Sequence, residues 1–183
     1  MKRLDRILQR LRIAQAVPWA RPGARVLDIG CAGGELYGCV PGVKQYVGVD
    51  PDAPEPFAAN VRFVRDVFPT PAIDPAERFD LVTALAVLEH VPADVQPEFA
   101  RACAHCLAPG GRLAITVPSA FVDVILAGLQ RLRLVDGMHA EQHFGYDPGR
   151  TPDLFASPGL ALLRRRRFEL GLNHLFVFER CEQ

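Results

Sequence analysis

The apolar positions along this chain change their period in an ordered way. Residues 3–16 carry Leu4, Ile7, Leu8, Leu11 and Ala14 at helical spacing before Pro18, which predicts an amphipathic helix with those residues on one face. The pattern then shortens. RVLDIG (25–30), YVGVD (46–50), VRFVR (61–65), FDLVTAL (79–85) and RLAITVP (112–118) are brief apolar runs bounded by turn residues, and each predicts a buried strand. Between them, residues 35–39 allow a helix of little more than one turn before Pro41-Gly42. The three prolines of PDAPEPFAAN exclude a long helix. A longer helix is predicted from about Ala93 to Leu107, with Pro97 tolerable only near its start.

Strands alternating with helices or helix-length connections predict a parallel sheet covered on both faces. The end of the chain departs from that rhythm. ALLRRRRFEL (161–170) and HLFVFER (174–180) are separated only by Gly171-Leu172-Asn173, too short for a crossover, so they should form an antiparallel hairpin at one edge. The fold class expected is α/β: a doubly wound sheet of parallel strands with a C-terminal antiparallel hairpin, seven strands in all. One domain should span residues 1–183, with an N-terminal helix within 1–20. Residues 120–150 should form an insertion acting as a lid or substrate wall.

Composition narrows the partners. Apolar residues make up 49% of the 183, enough to bury one ordinary core without disulfides or metal. The 21 basic and 21 acidic residues cancel, so no global basic field draws in nucleic acid or a membrane surface. No apolar run reaches the ~18 residues of a membrane span. The N-terminus mixes arginine with apolar residues, unlike a signal peptide. Five cysteines (Cys31, Cys39, Cys103, Cys106 and Cys181) are an odd number in a chain that needs no staples, which fits reduced thiols in a cytoplasm.

The candidate chemistry gathers at strand ends. In an open α/β sheet, ligands sit at the carboxyl ends of the strands where their order reverses. The first strand ends in VLDIGCAGG, where Gly30, Gly33 and Gly34 let backbone approach a ligand. Asp50 ends the second strand, twenty residues beyond Gly30, where a carboxylate accepts hydrogen bonds from ribose hydroxyls. Asp66 follows the third strand, where an adenine amino group would lie. The dinucleotide fingerprint G-x-G-x-x-G fails, because Ala32 and Glu35 stand where it needs glycine. The acid Asp28 beside the loop would repel a pyrophosphate, yet suits a ligand carrying an ammonium and a sulfonium.

With those residues the chain resembles the class I S-adenosylmethionine (SAM) dependent methyltransferases, whose fold is Rossmann-like. VLDIGCAGG is similar to their first motif, D-x-G-x-G-x-G, with Ala32 in place of the middle glycine. YVGVDPD, FVRDVFP, FDLVTALAVLEHVP and LAPGGRLAITVPS resemble the segments that follow, so the likeness runs over residues 24–119. It implies SAM as cofactor and S-adenosylhomocysteine as product. By the resemblance, Asp28 and the backbone of Gly30, Cys31, Ala32, Gly33 and Gly34 hold the methionine moiety, Asp50 the ribose and Asp66 the adenine. Pro51 and Val67 flank the ring, and Glu89 lines the site.

Methyl transfer from a sulfonium is an in-line displacement, so the protein mostly aligns the acceptor and excludes water. A base is needed only if the acceptor must lose a proton. The candidates are His90, after the fourth strand, and His143 or Tyr146 in the cluster MHAEQHFGYD. That cluster lies in a connection of about forty residues, including an expected helix over 121–135, where a lid or substrate wall belongs. His139-x-Glu141-x-His143 and Cys103-Ala-His-Cys106 lack further ligands at metal-site spacing and read as a surface loop and as buried helix cysteines. Arg164 to Arg167 read as a charged strand edge that discourages aggregation.

Absences direct the acceptor toward small molecules. The fourth strand lacks the Asn/Asp-Pro-Pro-aromatic turn of amino-group methylases, there is no Pro-Cys nucleophile, and lysine occurs only at Lys2 and Lys44. The resemblance is then to the group acting on oxygen, nitrogen or carbon of small molecules, the ubiquinone/menaquinone type among them. Nucleic acid is not expected as a partner, and the oligomeric state stays open. Two rival readings are a macromolecule methylase working with a partner protein, and a SAM-binding regulatory or scaffold subunit without turnover.

Overall fold

A computed structural model describes residues 3–119, 146–156 and 159–181. Helix α1 (Arg3–Ala16) precedes strands β1 (Arg25–Ile29), β2 (Gln45–Val49), β3 (Val61–Val64) and β4 (Phe79–Leu85). Helix α2 (Gln96–Cys106) leads into β5 (Leu107–Pro118). Helix α3 (Thr151–Ala156), β6 (Leu160–Phe168) and β7 (Asn173–Arg180) close the chain. The strands form one sheet in the order β3-β2-β1-β4-β5-β7-β6. The first five pair in parallel, and β7 runs antiparallel to both β5 and β6. The expected α/β class, seven strands and reversed terminal pair are all present.

The two faces of the sheet carry separate cores. One holds Leu27, Ile29, Val82, Phe99, Phe155 and Phe178 beneath α2 and α3. The other holds Val26, Tyr46, Leu81, Ala114 and Val177 beneath α1. Cys103 and Cys106 of α2 belong to the first, as the sequence reading had it. Burial holds both thiols protonated, that of Cys106 being pushed up to about 11.

Two expectations need correction. No helix forms over 35–39; a single 3-10 turn, Tyr37–Cys39, stands there, because Gly34 and Gly38 leave too few helix-formers before Pro41-Gly42. The apolar stripe of α1 is also not the face that packs. Ile7 and Leu11 are 53% and 42% exposed and Ala14 faces solvent, whereas Ile13 and Ala16 are buried. Arg12 lies close enough to Glu169, just past β6, to act on its carboxyl. Only the second half of the helix therefore reaches the sheet, and positions 13 and 16 decide its contact.

The arginine run occupies β6, an edge strand in which residues 161–167 are exposed. A bulge between Leu162 and Arg164 shifts its register against β7. Beyond it, Arg164 to Arg167 oppose Val177 to His174 in turn, so successive guanidiniums leave opposite faces. Among the described residues no helix is long and apolar enough to cross a membrane.

The packing of α1 makes a direct prediction. Ile13→Ala should lose about 2–4 kcal/mol in urea unfolding, as for other buried Ile truncations, while Ile7→Ala and Leu11→Ala lose less than about 1 kcal/mol. Equal losses at all three positions would contradict this orientation of the helix.

Candidate cofactor site

The strand order reverses between β1 and β4, whose sequence neighbours β2 and β5 lie on opposite sides. A crevice for a ligand opens at the carboxyl ends of strands at such a point. The loop leaving β1 is pinned there. The Gly30 amide donates to the Val49 carbonyl at 2.8 Å, and the Gly34 amide to the Cys31 carbonyl at 2.8 Å. Gly30 has φ +70°, and a Cβ on it would lie 2.4 Å from Cγ2 of Val87 in the segment after β4. Gly34 has φ +79°, and a Cβ there would lie 2.8 Å from the Phe63 ring. Both positions exclude side chains, which preserves the cradle. Ala32 occupies the left-handed region at φ +45° although it is not glycine.

The acid ending β2 reaches this loop. Asp50 accepts from the Ala32 amide at 3.0 Å through Oδ2 and from the Asp52 amide at 2.9 Å through Oδ1. Pro51 follows on the exposed turn. Asp66 stands exposed beyond β3, accepting from the Thr70 hydroxyl at 2.5 Å and the Val67 amide at 2.8 Å. Those two donors hold its carboxyl below the usual range, the hydroxyl contributing more. Val67 is 67% exposed beside it.

Asp28 is placed differently from the expectation of direct contact with a ligand. Its side chain is buried within the sheet. Oδ2 accepts from the Tyr46 hydroxyl of β2 and Oδ1 from the Thr83 hydroxyl of β4, each at 2.6 Å. Burial pushes its carboxyl up to about 6, against the lowering effect of Thr83 and Tyr46. Tyr46 and Thr83 were not singled out in the sequence. Their signal was a phenol two residues before Gly48 and a lone hydroxyl in the apolar run of β4. Tyr37, Tyr46, Phe57 and Phe63 pack edge to face, with centroids 5.3 to 6.1 Å apart, and buttress the loop near Gly34.

On the expected acceptor side, Glu89 is buried and His90 exposed in the 3-10 turn Leu88–His90. Tyr146 is buried, its hydroxyl 3.0 Å from that of Thr151, and the Glu89 carboxyl acts on it. Burial raises the phenol above its ordinary value, so Tyr146 suits hydrogen-bond positioning and not the base role that the sequence allowed. His143, with His139, Glu141 and the helix expected over 121–135, lies outside the described residues.

Five parallel strands, a reversed terminal pair and a glycine loop at the switch point define the class I SAM-dependent methyltransferases. Within them the chain belongs to the methyltransferase domain family, whose model matches residues 2–153. It is 38% identical over 103 residues to a ubiquinone biosynthesis O-methyltransferase of Rhodopseudomonas palustris, covering 51% of this chain and 39% of that one. A protein of the same description from Xanthomonas campestris pv. campestris is 33% identical over 144 residues, covering 68% and 58%. The chain thus spans about half the length of these curated relatives. Among solved structures, 1,6-didemethyltoxoflavin-N1-methyltransferase of Burkholderia thailandensis, which holds S-adenosylhomocysteine, superposes with a TM-score of 0.69 at 20% identity over 96% of this chain and 79% of that one. A methyltransferase complex from Haloferax volcanii, solved with the activator Trm112, gives 0.72 at 14% identity over 96% and 89%. These two likenesses bear on the fold alone.

Backbone strain in the loop is measurable. Gly30→Ala combines a left-handed φ with the Val87 contact and should destabilise by about 2–5 kcal/mol. Ala32→Gly relieves the same φ without a contact and should stabilise by about 0.5–1.5 kcal/mol in thermal unfolding. Asp28 adds a pH dependence. Its native carboxyl holds a proton up to about pH 6 while the unfolded one releases it near 3.8. Its contribution is therefore full below pH 4 and is lost as pH rises toward 6, about 3 kcal/mol in all. Melting across that window should reveal the loss, and Asp28→Asn should abolish it.

Proposed function

We propose that the chain binds SAM along the carboxyl edge of β1, β2 and β3 and transfers its methyl group to a small molecule. The observation that carries this reading is the meeting of the glycine loop with Asp50 at the switch point, where the acid touches the loop at the Ala32 amide. The residues present fit the cofactor. Gly30 and Gly34 leave a cradle that a Cβ would fill, Asp50 offers a paired acceptor for two ribose hydroxyls, and Asp66 stands exposed at the next strand end. Pro51 and Val67 would flank the adenine, and Cys31, Gly33 and Glu89 would complete the wall.

The bound sulfonium supplies an activated methyl group and its own leaving group. The protein is left to orient the acceptor, exclude water and, where the acceptor requires it, take a proton. His90 and His143 are the side chains proposed for that proton, and Tyr146 is proposed to orient the acceptor. An oxygen acceptor is favoured because both relatives described above are named O-methyltransferases.

The test is calorimetric titration with SAM, S-adenosylhomocysteine and NAD. The first two should bind at micromolar concentration and NAD should not. Asp50→Ala removes a charged acceptor and should weaken SAM by about 1.5–3 kcal/mol. A folded Asp50→Ala variant with unchanged affinity would contradict the placement of the site.

A further inference from the structure

A carboxyl buried in the middle of a parallel sheet demands an account of its charge. Asp28 lies abreast of Thr83 on β4 and of Gly48 on β2, two residues beyond Tyr46. The hydroxyls of Thr83 and Tyr46, each 2.6 Å away, take one carboxyl oxygen apiece. The ionised groups acting on it are Glu35 on the loop side and Asp50 beyond β2, both anionic. The neighbouring Cys31 thiol and the Tyr46 phenol are themselves kept protonated by burial. Neither Glu35 nor Asp50 is a cation, and both favour the protonated carboxyl. When ionised, Asp28 is thus a negative charge with anionic neighbours beneath the glycine loop, sustained by two hydroxyl donors on adjacent strands.

Such a charge attracts a cation bound on the other side of the loop, and the low dielectric around it strengthens that attraction. We propose that Tyr46 and Thr83 are positioning residues of the cofactor site, holding the ionised Asp28 carboxyl beneath Gly30–Gly34 so that it draws in the cationic methionine end of SAM. This rests on the SAM reading above. It goes further by making affinity depend on two hydroxyls that act through Asp28, and by tying affinity to one proton. Protonating Asp28 removes the attraction, so affinity falls with pH once the free protein takes up that proton.

The experiment is SAM titration of the full chain from pH 5 to 8.5, with melting of the unliganded protein over the same range. For the wild type, affinity should be constant from the break near pH 6 to about pH 7, above which the amine of SAM releases its own proton in every variant alike, and fall toward tenfold per pH unit below the break. Tyr46→Phe and Thr83→Val each remove a donor to the charged form, which should move the break upward by about one pH unit or more. They should then bind about tenfold more weakly than wild type at pH 5.5 and within about twofold at pH 8.5. The unliganded melting step should move with them. Thr83→Ser keeps a hydroxyl and should restore the wild-type profile, whereas Asp50→Ala should weaken binding at high pH and, having removed an anion that acts on Asp28, move the break downward, opposite to Tyr46→Phe and Thr83→Val.

Tyr46→Phe and Thr83→Val curves that coincide with wild type, or that fall by one constant factor across the range, would overturn the positioning role. A wild-type chain that binds no SAM at any pH would overturn the cofactor reading itself, and the two failures are distinguishable.

Discussion

The fold is organised around a carboxyl that three strands share. Asp28 projects from β1 and is held by hydroxyls from β2 on one side and β4 on the other. Those are the strands that flank β1 at the reversal of the sheet. A buried carboxyl without donors would simply keep its proton or unfold the sheet. With two donors it can be charged at neutral pH, so the same contacts that knit the strands also set the potential beneath the loop. This couples stability and binding in opposite senses. Protonating Asp28 strengthens the empty fold and weakens its hold on a cation.

The neighbouring connections are compact for a sheet of this topology. From β1 to β2 the chain makes a pinned loop and one 3-10 turn, and from β2 to β3 a proline-rich stretch without regular structure. Among the described residues these two connections supply no helical cover to the β2–β3 side, and aromatic rings pack there. Tyr37, Phe57 and Phe63 pack around Tyr46 and close over Gly34. The ring cluster therefore has a second use: it fixes the phenol that reaches Asp28. A Tyr37 hydroxyl bonded to Asn60 at 3.0 Å ties the cluster to the chain entering β3.

The strands were legible because each is a short apolar run, most of them beside a glycine or a proline, and Asp50 and Asp66 were legible because they end such runs. Asp28 was legible as an important acid, but not as a buried one. β1 is buried on both faces, so no polar alternation revealed which side its residues take. The partners on β2 and β4 are brought to it only by the register of the sheet. The stripe on α1 failed for a related reason. Helical periodicity identifies an apolar face, but the reach of the sheet determines which face is covered, and here only Ile13 and Ala16 are within reach.

The acceptor side is built on different terms. Glu89 and Tyr146 come from opposite ends of a long stretch of chain, yet both are buried, and the carboxyl acts on the phenol. The Thr151 hydroxyl, itself fully buried, completes that arrangement at the start of α3. Polar groups gathered at this depth lose the solvation that would let them reorient freely, so their directions are set by the helix and turn that carry them. A phenol held protonated in such a place can orient an oxygen or a nitrogen but is poorly suited to removing its proton. The chemistry left for this fold is then mainly alignment. Its electrostatic contribution lies on the cofactor side, beneath the loop, where the charged neighbours that act on Asp28 are Glu35 and Asp50.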